Sequence, residues 1–142
     1  MNLFQPSRQS GFASIGLFAV RLIVGLAFVY HGWGKIQHPF NWMGPEASIP
    51  GWLQGLAAFS EFGGGLAWVA GFLVPLASFG IFCTMAVATN MHMMVRHDPF
   101  VNPQGGPSYE PALVYLGIAF LLFAIGPGKV SLDAIVFGER SK

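Results

Sequence analysis

Charge is the scarcest ingredient of this chain. Only 9% of its 142 residues are Asp, Glu, Lys or Arg, against 54% that are hydrophobic, whereas soluble domains average about 25% charged. So few charges cannot cover a water-facing surface. The composition excludes an ordinary soluble domain and points to an integral membrane protein. A formal net charge of +1 leaves no basic footprint for nucleic acid. Cysteine is almost absent as well. Cys83 stands alone, so the chain holds neither an internal disulfide nor a C-x-x-C redox pair, and dithiol chemistry would need a partner protein. Zinc signatures, a nucleophile elbow and a dinucleotide fingerprint are all missing. Gly34-Lys35 and Gly128-Lys129 lack the upstream glycine and the following Ser or Thr of a phosphate-binding loop.

What is present is a series of long apolar runs. Stretches near 20 residues are membrane-span candidates, and four occur, at about 11–33, 52–74, 76–95 and 109–126. The expected fold is all-α. It is one domain over 1–142, an integral membrane four-helix bundle closed by a short amphipathic interfacial helix. Arg8 followed by an apolar run resembles a signal peptide, but Arg21 interrupts the run and no A-x-A-like cleavage site follows, so the segment reads as a retained first span. Gly71 and Pro75 punctuate spans two and three into a tight hairpin. Pro111 fits the first turn of span four, where its missing N–H costs nothing. Gly126-Pro127-Gly128 ends that span. Ser131 then caps a helix at about 132–137, with Asp133 in its first turn and Leu132, Ile135, Val136 and Phe137 toward the bilayer.

Four spans put both termini on one side. Arg8, Lys129, Arg140 and Lys142 collect there, against Lys35 and Arg96 on the other. The positive-inside rule then places the N- and C-termini in the cytoplasm. The two longer loops, about 34–51 and 96–110, carry Phe40, Trp42, Phe100 and Tyr109, rings suited to headgroup depth.

Arg21 and Glu61 are the only charges inside residues 11–30 and 52–74 respectively. An ionisable group in a bilayer costs about 2.5–3.5 kcal/mol even on the lenient insertion scale, so such groups pair or line a polar cavity. Arg21, Gly25, Phe28, Gly32 and Lys35 fall on one helical stripe, and Glu61 precedes Gly63-Gly64-Gly65. Close packing across these glycines is expected to lay Arg21 near Glu61. The alternatives are an ion pair that only locks the bundle and a pocket that binds a headgroup or relays protons. Tyr30, His31 and Lys35 cluster at the end of span one, a set that suits a quinone ring or a small oxyanion. Span three ends in Asn90-Met91-His92-Met93-Met94-Val95-Arg96-His97. Thioether and imidazole select Cu(I), which makes Met91, His92, Met94 and His97 weak metal candidates. Successive helical residues diverge by about 100°, so these four cannot converge on one ion, and the reading is that no metal is held. Asn90, Met94 and His97 are expected to share a helix face.

The pattern resembles the DoxX family of small bacterial membrane proteins. The residues that carry the resemblance are Arg21 with Gly25-Leu26, Tyr30-His31-Gly32-x-x-Lys35, and Glu61-Phe62-Gly63-Gly64-Gly65-Leu66 with Gly71-Phe72-Leu73. Met94, His97, Tyr109-Glu110-x-Ala112-Leu113-x-Tyr115 and Gly126-Pro127-Gly128-x-x-Ser131-Leu132-Asp133 complete it. The resemblance implies a four-helix protein of the bacterial inner membrane. It further implies a redox-associated subunit of an oxidoreductase or respiratory complex. Such a subunit would have no intrinsic cofactor and would contact quinone or a small sulfur anion. It would work with a protein partner or as a homo-oligomer. As an enzyme it would act within a quinone-linked oxidoreductase. The site expected on that reading is Arg21, Glu61, His31, Lys35 and Tyr30, with Asn90, His97 and Tyr115 in secondary places. The competing readings are a non-catalytic accessory subunit that stabilises a larger membrane complex, and a small transporter or Cu(I)-handling protein.

Overall fold

A computed structural model describes residues 9–138. Among them the regular structure is helical throughout. The long helices are α1 (Gly11–Gln37), α2 (Gly51–Ala70), α3 (Val74–Asn90) and α4 (Glu110–Ile125), and a short α5 (Leu132–Phe137) follows. Helix starts follow from local chemistry. Ser10 accepts from the Ala13 N–H at 3.2 Å, Pro75 and Pro111 occupy first-turn positions, and Ser131 accepts from the Ala134 N–H. By length and composition α1 and the stretch Val74–Val95 are apolar enough to cross a membrane, and α4 is apolar but shorter. Arg8, Arg140 and Lys142, which weigh in the orientation argument, lie outside the described residues.

Two expected boundaries shift. The first helix runs about one turn further, to Gln37 rather than Trp33, because Lys35 and Gln37 continue the helical ladder until His38 caps it. The second apolar run breaks at Ala70. Gly71 adopts φ 68 and Leu73 φ 50, so a left-handed turn reverses the chain. The Gly71 and Phe72 N–H groups bond back to Trp68 and Ala67 carbonyls at 3.2 and 2.9 Å. At the far end of α3 the helix widens into a π-helical segment, Met91–Val95, and His97 takes φ 56. The single helix face expected for Asn90, Met94 and His97 is therefore not formed.

Consecutive long helices pack side by side: α1 on α2, α2 on α3, and α3 on α4. Glycine sets the first of these contacts. A Cβ on Gly25 would stand 2.9 Å from the Gly65 carbonyl oxygen, and one on Gly32 would stand 2.5 Å from the Phe62 backbone nitrogen. Small residues let two helix backbones approach this closely. The core is Phe28, Trp68, Val74, Ile81, Ala119 and Leu122, each almost fully buried. Trp68 meets Phe28 edge-on at 5.6 Å and donates its indole N–H to the Ser78 hydroxyl at 2.9 Å, tying α1, α2 and α3 together. Helices α1 and α4 meet through rings, with Phe28 and Tyr115 centroids 5.0 Å apart.

Gly32→Ala is expected to destabilise the protein by about 1–3 kcal/mol, the usual cost of overpacking. Gly34→Ala has open space and is expected to be neutral or to gain up to about 1 kcal/mol of helix propensity. Thermal unfolding of both variants in detergent checks the contrast.

Candidate functional site

The two charges that stand alone inside apolar runs of the sequence, Arg21 and Glu61, are not partners. Arg21 is almost fully buried and lies beside the α2–α3 turn. Its guanidinium donates to the Trp68 carbonyl at 3.4 Å and to the Val130 carbonyl in the segment after α4. Its neighbouring charge is Asp133. The Asp133 carboxylate accepts the Leu73 and Val74 N–H groups at 2.7 and 3.0 Å, and its own N–H donates to the Gly71 carbonyl at 2.9 Å. Burial pushes the Asp133 carboxyl above its ordinary value, against the downward pull of these two donors and of Arg21. Arg21 thus pins the hairpin end of the molecule through backbone oxygens. Trp68 and Glu61 sit two turns apart on α2, about 10 Å along the axis, and this separation corrects the expected Arg21–Glu61 pair.

Glu61 pairs instead with Lys35. The ammonium lies 2.6 and 2.7 Å from the two carboxylate oxygens. Glu61 stands mid-helix, about 15 Å from the Gly51 end and 14 Å from the Ala70 end of α2. Its side chain is 3% exposed and that of Lys35 is 26% exposed. The indole of Trp42 covers the ammonium at 4.5 Å, a cation–π contact. Loop residues 38–50 hold that indole in place through α2. Trp42 donates to the Gln54 carbonyl at 2.9 Å. The Gln54 side chain accepts the Met43 N–H at 3.0 Å and donates to the Ile49 carbonyl at 2.9 Å.

Two cavities meet at this pair. One, of about 630 Å³, opens on the side of loop 38–50 and is lined by Tyr30, His31, Lys35, His38, Asn41 and Trp42. The other, of about 600 Å³, is a groove between α2 and α3 with an apolar body that includes Leu53, Leu56, Phe79 and Val87. Its lining also carries Lys35, Gln54, Ser60, Glu61, Cys83 and Thr84. The predicted residues Tyr30, His31 and Lys35 therefore share the loop-side cavity, and Lys35 and Glu61 share the groove. Tyr115 meets His31 across α1 and α4, with centroids 6.3 Å apart.

Asn90 and His97 lie at the far end of α3 and line neither cavity. The methionine-rich end holds an imidazole–carboxylate pair, His92 Nδ1 to Asp98 Oδ2 at 2.7 Å. Among the described residues no group of three or more His, Cys, Asp or Glu is placed to hold a metal. Trp42, Gln54, His38 and Asp133 were not singled out as site residues in the sequence. Only the aromatic excess of loop 38–50 signals the first of them. The Asp133 carboxylate serves the start of α3, not only its own helix.

Comparison with known sequences agrees with this geometry. The DoxX profile matches residues 16–94, which include Arg21, Lys35, Glu61 and both sides of the groove. The chain belongs to the DoxX family. It is similar to the inner membrane protein YqjF of Escherichia coli (strain K12), with 32% identity over 129 residues covering 86% of this chain and 92% of that protein. No solved structure matches significantly. Family and relative together make this a membrane protein of the bacterial inner-membrane type, in contact with the lipid bilayer.

Arg21→Met removes a buried donor from two carbonyls and leaves Asp133 without its counter-charge. It is expected to cost at least about 1–3 kcal/mol, the penalty of one unsatisfied buried polar group. Arg21→Lys is expected to rescue little, since a single ammonium does not reproduce the two-pronged reach. Unfolding temperatures of the purified variants, read beside the yield of folded protein, check both.

Proposed function

We propose that this protein is a redox-associated subunit of the inner membrane that binds a quinone-type lipid in the groove between α2 and α3. All four long helices would cross the bilayer as a bundle with both termini in the cytoplasm, and a partner redox protein would exchange the electrons. One observation carries the reading. An apolar groove of about 600 Å³ ends on a mid-helix carboxylate–ammonium pair, and Lys35 and Glu61 are the only charged groups in its lining. Ligand sites of this size are mostly apolar, with a few placed polar groups that fix orientation. Glu61 would accept a hydroxyl proton, while the Lys35 ammonium and the Ser60 hydroxyl would donate to a ring carbonyl. The apolar walls would take the tail. Arg21 stands outside this site and serves the fold. A small sulfur-containing anion would fit the loop-side cavity better than the groove, beside Lys35, His31 and Tyr30.

The test is titration of the purified protein with a short-chain ubiquinone analogue, followed by tryptophan fluorescence because Trp42 lines the groove. Saturable quenching is expected. Lys35→Met and Glu61→Gln should each weaken it by about tenfold or more, equivalent to about 1.4 kcal/mol. Linear, non-saturating quenching that neither variant changes would remove the quinone reading.

A further inference from the structure

The groove and the loop-side cavity share two residues, Lys35 and Trp42. Glu61 belongs to the groove alone, and His31 and His38 belong to the loop-side cavity alone. The ion pair and the indole above it are therefore a wall between the groove and the loop-side cavity. We propose that this wall is a proton gate: a proton taken up by Glu61 from the groove releases Lys35 into the loop-side cavity and opens Glu61 to water there. The inference rests on the groove being a ligand site and adds the route by which that ligand's proton leaves.

The geometry gives the gate its direction. Lys35 is held by the two carboxylate oxygens and by the Trp42 ring. The first and stronger hold is Coulombic and vanishes when the carboxylate takes a proton. The ammonium is strongly hydrated and sits on a flexible four-carbon stem. It already touches water on one side, while Glu61 is almost fully enclosed. Once released, its head moves toward water, as long cationic side chains do at an apolar boundary. The space that receives it is the 630 Å³ cavity, where Tyr30, His31, His38 and Asn41 face it. Among the described residues that line the groove, Lys35 is the only cation.

The step moves one proton and one electron: a hydroxyl bound in the groove gives its proton to a Glu61 carboxylate oxygen while the same ligand gives one electron to the partner redox protein, so no anion is left in the groove to hold the ammonium. The Lys35 ammonium keeps its own protons and swings away. Water entering from the loop side then takes the proton from Glu61 into the cavity that His31 and His38 line. The restored carboxylate recaptures Lys35 and the wall closes.

Cys83 is the one cysteine of the sequence and lines the groove, so it reports water entry without any introduced label. The full chain in lipid nanodiscs is treated with sulfonatoethyl methanethiosulfonate, which is charged and excluded from lipid, and separately with neutral methyl methanethiosulfonate. The ratio of the two modification rates cancels differences in thiol reactivity. Glu61→Gln, which cannot hold the ammonium by charge, is expected to raise that ratio about tenfold over the wild type, and Trp42→Leu is expected to raise it as well. The wild type supplies an arm free of substitutions, because its ratio is expected to climb on acidification. A ratio that stays flat with pH, and is unchanged in Glu61→Gln protein whose neutral-reagent rate matches the wild type, overturns the gate. No quinone enters this experiment. Its failure leaves quinone binding standing, and a raised ratio in a protein that binds no quinone leaves the gate with a different ligand.

Discussion

A guanidinium buried against an apolar core must find oxygen, and the way Arg21 finds it organises one whole end of this protein. The side chain comes from α1, its acceptors are the last turn of α2 and the strand of chain after α4, and its counter-charge Asp133 holds the first N–H groups of α3. All four long helices are tied at that point. Gly71 takes the first left-handed position of the turn, where a side chain would collide with Arg21 and with Ser131. Buried charges add little net stability, because desolvation offsets most of their attraction. What Arg21 and Asp133 contribute is a single permitted arrangement: other packings of the hairpin end would leave a charge without its oxygens.

That fixed end determines what happens further along. From Arg21 the antiparallel contact of α1 and α2 proceeds through Gly25 against Gly65 and Gly32 against Phe62. At that register Lys35 arrives over Glu61. Each glycine contact removes freedom to slide, since a displacement of one helical step would drive a side chain into backbone. The Lys35–Glu61 pair is therefore placed by helix register as much as by its own attraction. The two ends of the molecule differ accordingly. The hairpin end is closed by backbone hydrogen bonds to charged side chains, whereas the loop end is closed by a loop, an indole and an ion pair, with a cavity on either side.

Much of this was legible in the sequence. Apolar runs gave the helices, Ser131 gave the start of α5, and the stripe of Arg21, Gly25, Phe28 and Gly32 named the face of α1 that is buried against its neighbours. The charge pairing was not legible, for a definite reason. Helical periodicity fixes which face a residue occupies and says nothing of its height relative to a neighbouring helix. Arg21 and Glu61 each sit in an apolar run, yet they lie about 10 Å apart in height, one at the turn and the other mid-helix. Lys35, read with Tyr30 and His31 as a cluster at the end of span one, reaches back to Glu61 because α1 runs on past Trp33. The end of α3 misled in another way. Its Met-rich sequence continues the helical pattern, but the π-helical segment and the left-handed His97 rotate the residues that follow off the expected face.

The loop over residues 38–50 shows why a site can hide in a segment that sequence reasoning treats as a connector. Its aromatic residues suit an interface, and that reading explains Phe40, which packs on Gly51 and Gly55. It does not explain why Trp42 stands over Lys35. The reason is Gln54, buried within the first turns of α2: its side-chain amide accepts from Met43 and donates to Ile49 in the loop, and its backbone carbonyl takes the indole N–H of Trp42. A buried amide left without these partners would be costly, so the loop is required by the helix as much as the helix by the loop. The indole thereby acquires a fixed position over a charge that is itself fixed by helix register. Two constraints of unrelated origin, an amide in need of partners and glycines in need of contact, converge on one square of surface, and that is where the groove and the loop-side cavity touch.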